Sequence, residues 1–427
     1  MKRFYFWALL VTLIIILVGV IWFFFFKTDN TPTTIGGGSD LPISGDRPRK
    51  PVMTNNQPNT GGDTSYEYVS PLVKIWDKPV AGFTFAVVPV ITTSTSTNES
   101  GQEISTQSRA TTTYLFFVEK SSGNVYKKDL STNKVFRVTN TTIPAVQDAV
   151  FLKGGELVLM QTYNKESRKI ETFVADVPLV ASVDSPMSLG SPSYLQDNVI
   201  SFAPSFDFTT LYYLVPNEKG SSLYRYTKER GSVFVESVPL KDITLSVTNK
   251  DVYVVSKPSA FVPGYVFKTS PFVVVYGGKT GFSLTPAPTN AISLVSMWSN
   301  SGLFSYVHNF TNGGDSTLKN SFLAEKCAWS NTSTLLFCAG DPDTYINQDG
   351  LPEMWYLGDI SFKDTLYIMT GVSGVFSDSE LLNISDEGGE SLDVIKPSFD
   401  TLSYYFSFIN KKDGALWLLD VTRTVSR

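Results

Sequence analysis

Few residues in this chain belong to types that do chemistry, and their spacing argues against most reactions. There is one histidine, His308, and there are two cysteines, Cys327 and Cys338. A zinc centre needs about four ligands, and this set falls short. The cysteines are not in the C-x-x-C spacing of a redox pair. A Ser-His-Asp hydrolase would have to use His308, beside Asn309, as its base. Its best serine string, Gly371-Val372-Ser373-Gly374, lacks the second glycine of a nucleophile elbow. His308 therefore reads as a satisfied side chain at a strand end. Glu353, Asp359 and Asp364 could supply a glycosidase pair, but they read as turn and edge carboxylates. Alternating oxygens from Asp341 to Gly350 would suit calcium, yet Pro342 breaks the register and no glutamate closes the loop. It reads as a solvated loop. No catalytic, cofactor-binding or metal-ligating residue is assigned.

Cys327 and Cys338 flank a hairpin pattern in which Ala328-Trp329-Ser330 and Leu335-Leu336-Phe337 surround the polar turn Asn331-Thr332-Ser333-Thr334. A four-residue loop sets 330 opposite 335 and 327 opposite 338, close enough for a disulfide. The alternative is two small buried thiols. Trp355, Tyr356 and Tyr265 lie near turns and are expected to be exposed, as aromatic anchors for a protein or glycan partner.

The elements that must position these residues are strands. Aromatics make up 13% of the chain and charged residues only 18%, the composition of sheets with few helices. Short apolar runs recur between turn residues, among them Tyr114–Val118, Leu157–Thr162, Leu211–Val215 and Leu416–Leu419. One string repeats, Pro204-Ser205-Phe206-Asp207 through Tyr213 and Pro397-Ser398-Phe399-Asp400 through Phe406. Looser copies run Trp298–Phe304 and Trp329–Leu335. A second turn, Asn217–Gly220 or Lys411–Gly414, then precedes Leu223–Tyr226 or Leu416–Leu419.

This pattern resembles the blades of TolB-like and WD40-like β-propellers, in which an aromatic-Ser-Pro-Asp-Gly turn joins two strands and a Gly-x-Leu-Tyr/Trp strand follows. No full Ser-Pro-Asp-Gly string occurs here. The stretch from Cys327 through Trp355-Tyr356-Leu357-Gly358 to Asp364 also resembles uncharacterised membrane-anchored propeller-like proteins of small-genome bacteria, which implies topology and no mechanism. The fold expected is all-β, a propeller of about seven or eight blades at roughly 40–50 residues each. Two or three β-sandwich domains are the alternative.

Ahead of the strands, Phe4–Phe26 is an uncharged apolar run bracketed by Lys2-Arg3 and Lys27. As a helix it would reach about 34 Å, enough to cross a bilayer. It is too long for a signal peptide, and Phe23–Phe26 occupies the place of a small-residue cleavage site. Positive charge at its start puts the N-terminus inside. The organisation expected is a cytoplasmic stub and signal-anchor helix over 1–27, a disordered Thr/Gly/Pro-rich linker over 28–70, and the propeller over 71–427. Residues 92–113, almost all small and polar, are expected to form a disordered loop within it. A net charge of −5 gives no basic footprint for nucleic acid.

These readings add up to a single-pass protein of the plasma (inner) membrane. Its extracytoplasmic domain is expected to be a non-catalytic binding or scaffold module for an envelope component. The rival reading is a hydrolase or lyase acting on polysaccharide or peptide at the channel. Three or more ionisable side chains converging on the channel mouth would mark the enzyme. A mostly apolar mouth beside exposed aromatics would mark binding.

Overall fold

Runs of consecutive buried residues are the first clue to the architecture. Leu115–Val118, Leu157–Met160, Leu336–Ala339 and Phe406–Ile409 are buried at every position. A strand's side chains alternate between its two faces, so such runs require sheets covered on both sides. The structure, a computed structural model, describes residues 69–97, 103–179, 185–288, 291–299, 302–341, 351–372 and 375–425. The apolar run Phe4–Phe26, nearly all of the 28–70 linker, residues 342–350 of the acidic loop, and Ser373-Gly374 lie outside them. Among the described residues, no helix is long and apolar enough to cross a membrane.

The described strands form seven four-stranded antiparallel sheets. Blade 1 comprises Val80–Thr97, Glu103–Glu119, Val125–Asp129 and Val135–Arg137. Blade 2 comprises Val146–Leu152, Leu157–Asn164, Lys169–Asp176 and Ser193–Tyr194. Blade 3 comprises Ser201–Pro204, Leu211–Asn217, Gly220–Thr227 and Gly231–Val238. Blade 4 comprises Ile243–Val247, Val252–Ser256, Gly264–Lys268 and Val273–Lys279. Blade 5 comprises Ser283–Pro286, Ile292–Ser299, Gly302–Asn309 and Asp315–Thr317. Blade 6 comprises Cys327–Trp329, Leu335–Gly340, Thr365–Val372 and Val375–Leu382. Blade 7 takes Val394–Phe399, Tyr405–Asn410 and Leu416–Asp420, and completes itself with Leu72–Trp76 from the other end of the chain.

Apolar clusters join every neighbouring pair of blades. Phe116 packs with Phe151 between blades 1 and 2, and Leu159 with Leu211 between 2 and 3. Leu223 and Val254 share a cluster between 3 and 4, as do Val266 and Val295 between 4 and 5. Leu294 and Leu336 join 5 to 6, and Phe337 and Phe406 join 6 to 7. Ile75 and Leu418 meet Leu115 and Phe117, which closes the ring from blade 7 to blade 1. The chain is a seven-bladed β-propeller, within the range the repeats predict.

The two copies of the repeated string are offset by two positions, since Pro204 ends the first strand of blade 3 while Pro397 lies within that of blade 7, but the turns they lead into share one device. In blades 3, 6 and 7 a side-chain oxygen at the start of the first turn accepts the N–H of the residue five positions on. These bonds are Thr210 N to Ser205 Oγ (3.0 Å), Leu335 N to Ser330 Oγ (3.1 Å) and Tyr405 N to Asp400 Oδ1 (2.8 Å). The Trp298 copy differs, because it joins the second and third strands of blade 5. Small polar residues suit any tight hairpin, so composition alone does not say which turn it is.

The expectation of a disordered loop over 92–113 is corrected. Val80–Thr97 and Glu103–Glu119 pair without a break from Gly82 opposite Val118 to Thr97 opposite Glu103, after an irregularity between Val80 and Gly82. Low hydrophobicity suggested disorder, but Thr-rich segments favour the extended backbone and here prolong a hairpin already nucleated in the core.

Candidate functional site

Strands alternate in direction within each blade, so the second-to-third turns and the connections between blades emerge on one face. On that face blade 6 carries its long insertion, residues 341–364 between its second and third strands. Within it Glu353–Leu357 makes one helical turn, closed by Gly358 at φ 86°, whose N–H bonds to Met354 and Trp355 carbonyls. The helical period puts Glu353, Tyr356 and Leu357 on one side and Trp355 on the other. Trp355 is buried, whereas Tyr356 is 42% and Leu357 77% exposed.

Trp355 was expected to be an exposed anchor, and this is corrected. It covers a buried ionic cluster. Lys326 Nζ lies 2.7 Å from Asp364 Oδ2 and 2.5 Å from Asp393 Oδ1, with all three residues fully buried. Trp355 Nε1 donates to both Asp393 oxygens at 3.1 Å. Ser361 Oγ and the Phe362 N–H also reach Asp393, at 2.9 and 3.1 Å. Lys326 stands 5.0 and 5.1 Å from the Trp355 and Phe362 ring centroids. Asp364 Oδ2 takes the Val394 N–H at 2.7 Å, and Asp364 Oδ1 has no partner. Burial pushes the Asp364 carboxyl up to about 6, against the pull of Lys326. Burial also pushes on Asp393, but the Lys326 charge and the donors around it hold that carboxyl below its usual range. Asp364 is therefore no turn or edge carboxylate. Asp359 is exposed, in keeping with the sequence reading.

This cluster fixes the 3-10 turn Ala324–Lys326 and so aims its neighbour, Glu325, the opposite way. Glu325 lines a cavity of about 640 Å³ between the inner strands of blades 4 and 5 and the blade 6 insertion. The wall mixes aliphatic Leu245, Val255, Pro258, Leu284 and Leu357 with the hydroxyls of Thr244, Ser246, Ser256 and Ser283, and Lys257, Glu325, Glu353 and Tyr356 supply the ionisable groups. Tyr356 donates its hydroxyl to Glu325 Oε1, and Ser283 Oγ lies 3.0 Å from Glu325 Oε2. Burial raises the Glu325 carboxyl above its ordinary value, against those hydrogen bonds and Lys326. Burial and the Glu325 charge raise Tyr356 well above an ordinary phenol. Glu353 Oε1 accepts the Ala260 N–H at 2.6 Å, tying the 257–263 loop of blade 4 to the helix, and its Oε2 is buried without a partner. Beyond Ala260 the loop is held by Ser259 Oγ, which accepts the N–H groups of Phe261 and Val262, both at 3.2 Å. It nevertheless presents Phe261 and Val262 to solvent, at 81% and 63% exposure.

Of the aromatics singled out from sequence, Tyr356 lines the cavity, Trp355 supports it from beneath, and Tyr265, 39% exposed, lies outside its lining. Glu325, Lys257 and Phe261 carry no sequence signal that would have found them. Cys327 and Cys338 are paired in register and joined by a disulfide, with Cα atoms 4.1 Å apart. His308 Nδ1 meets Asp315 Oδ1 at 2.7 Å and its ring lies 4.2 Å from that of Tyr276, a structural role. Among the described residues no group of three or more His, Cys, Asp or Glu could hold a metal ion.

No family model matches the chain, and no curated protein matches it. Solved structures similar to it include a functionally unknown protein from Desulfotomaculum acetoxidans, at 9% identity and TM-score 0.48, over 72% of this chain and 92% of that one. An oligogalacturonate lyase in complex with manganese is 13% identical over 80% of this chain and all of its own, at TM-score 0.44. TolB from Acinetobacter baumannii is 12% identical over 78% and 79%, at TM-score 0.39. The likeness is one of overall fold and carries no activity to this chain.

Proposed function

We propose that this propeller is a non-catalytic binding module, tethered to the plasma membrane by Phe4–Phe26, and that its blade 4–6 mouth docks an apolar segment of an envelope protein. The observation that carries the reading is the pairing of a largely apolar cavity, lined in part by the exposed Leu357, with Phe261 and Val262 exposed further along the same loop that gives the lining Lys257 and Pro258. Ordered apolar groups left in water mark an interaction surface. Four ionisable side chains, Lys257, Glu325, Glu353 and Tyr356, also converge on the mouth, which is what the rival hydrolase or lyase reading calls for. One Glu353 oxygen holds the Ala260 backbone, and both Glu325 oxygens are engaged by Tyr356 and Ser283. A glycosidase needs one carboxylate free to act as base or nucleophile, and the unpartnered Glu353 Oε2 meets that need, so a turnover test decides between the readings.

The test is cross-linking in intact cells with the full chain and with a Phe261→Asp, Leu357→Asp variant. Both side chains are exposed, so thermal unfolding should be unchanged, and a partner captured by the wild type should be lost from the variant. Equal capture by both chains would remove this mouth from the docking surface. Turnover of polysaccharide or peptide that disappears in Glu325→Gln would favour the enzyme instead.

A further inference from the structure

We propose that Lys326 and Asp364 condense into an internal amide, a covalent bond between the start of blade 6 and the base of its insertion. The groups are already arranged for it. Nζ and Oδ2 are 2.7 Å apart in a site with no exposed surface, so water competes poorly for the carbonyl carbon. Asp393, at 2.5 Å from the same Nζ, is a second carboxylate placed to relay protons. The Val394 N–H on Asp364 Oδ2 is placed to stabilise negative charge developing there. Asp364 Oδ1, buried and unpartnered, is the oxygen free to leave. A buried ammonium shared by two carboxylates with an orphaned oxygen is a poor resting arrangement. The amide removes both the ammonium and the orphan.

The step balances as follows. Asp364 starts protonated, Lys326 as ammonium and Asp393 as carboxylate. Asp393 takes one proton from Nζ, and the freed amine attacks Cγ of Asp364. The Nζ–Cγ bond forms, the Cγ–Oδ1 bond breaks, and a second proton from Nζ leaves with the Oδ1 hydroxyl as water. The products are a neutral amide, one water and protonated Asp393, with no change in total charge. Burial, which raises the Asp364 carboxyl to about 6, makes the protonated starting state accessible in mildly acidic solution. The amide N–H remains within reach of Asp393, which keeps its donors from Trp355, Ser361 and Phe362. Glu325 and Tyr356, on the other side of the turn, do not enter the step.

The experiment is peptide mapping by mass spectrometry of the full chain purified in detergent, reduced and alkylated so that the Cys327–Cys338 link is open. Trypsin should fail to cut after Lys326. The peptide ending at Lys363 and the one beginning at Asp364 should then travel as one branched species, lighter than their sum by one water. A Lys326→Arg chain should lose the branch and regain the water. Separate peptides with cleavage after Lys326 would overturn the proposal. So would a water lost within the unbranched peptide beginning at Asp364, which would mark a cyclised aspartate. Neither result bears on docking at the mouth.

Discussion

Adjacent residues in this chain meet opposite environments, and the difference is electrostatic. Lys326 is enclosed between Asp364 and Asp393, whereas Glu325 faces the cavity with only neutral donors at its oxygens. A carboxyl raised by burial binds its proton more tightly in the folded chain than in the unfolded one. Between its ordinary value of 4.5 and its raised folded value, the folded state therefore holds more protons, and stability falls as pH rises through that window. Gln at this position can accept from Tyr356 and donate to Ser283 without titrating. Glu325→Gln should therefore gain melting temperature relative to wild type as pH is raised from 4.5 towards neutrality. Melting curves that stay parallel across that range would show that Glu325 does not titrate as its burial requires.

At the scale of elements, blade 6 is where the propeller departs from its own repeat. Its insertion supplies the helix that lines the mouth, and its first hairpin carries the disulfide. The bridge closes a short loop at a sequence separation of 11, which by chain entropy is worth roughly 2–3 kcal/mol. The Cys327→Ala, Cys338→Ala chain should lose about that much unfolding free energy in urea, with an m-value equal to or slightly above wild type because its unfolded state is no longer cross-linked. Because Lys326 directly precedes Cys327, the loosened strand should also disturb the ionic cluster. Quenching of tryptophan fluorescence compared with and without Trp355→Phe is the readout for that second effect.

For the whole molecule, the decisive contact is between the two ends of the described chain. Leu72–Trp76 is the outer strand of blade 7, paired to Leu416–Asp420. Without it, the edge of that strand and the cluster of Leu115, Phe117, Ile409 and Leu418 open to water. A chain starting at Ser70 should elute as a folded monomer and melt in one transition. One starting at Lys78 should aggregate or melt well below it. Equal behaviour in size-exclusion and thermal scans would mean that the ring closes without this strand.

Composition, strand rhythm and the repeated turn sufficed for an all-β propeller, because strand propensity and the reach of Ser205, Ser330 and Asp400 to a backbone N–H are local. The register of Cys327 and Cys338 was legible for the same reason, since a hairpin of known loop length sets which residues face each other. The cavity was not legible. Glu325, Glu353 and Lys257 come from three different loops and meet only when blades 4, 5 and 6 stand side by side. Nor could sequence tell that Trp355 turns inward, because its burial depends on Asp393, 38 residues further along the chain. Short-range geometry is written in neighbouring residues, whereas burial and charge pairing are decided by which blades the closed ring brings together.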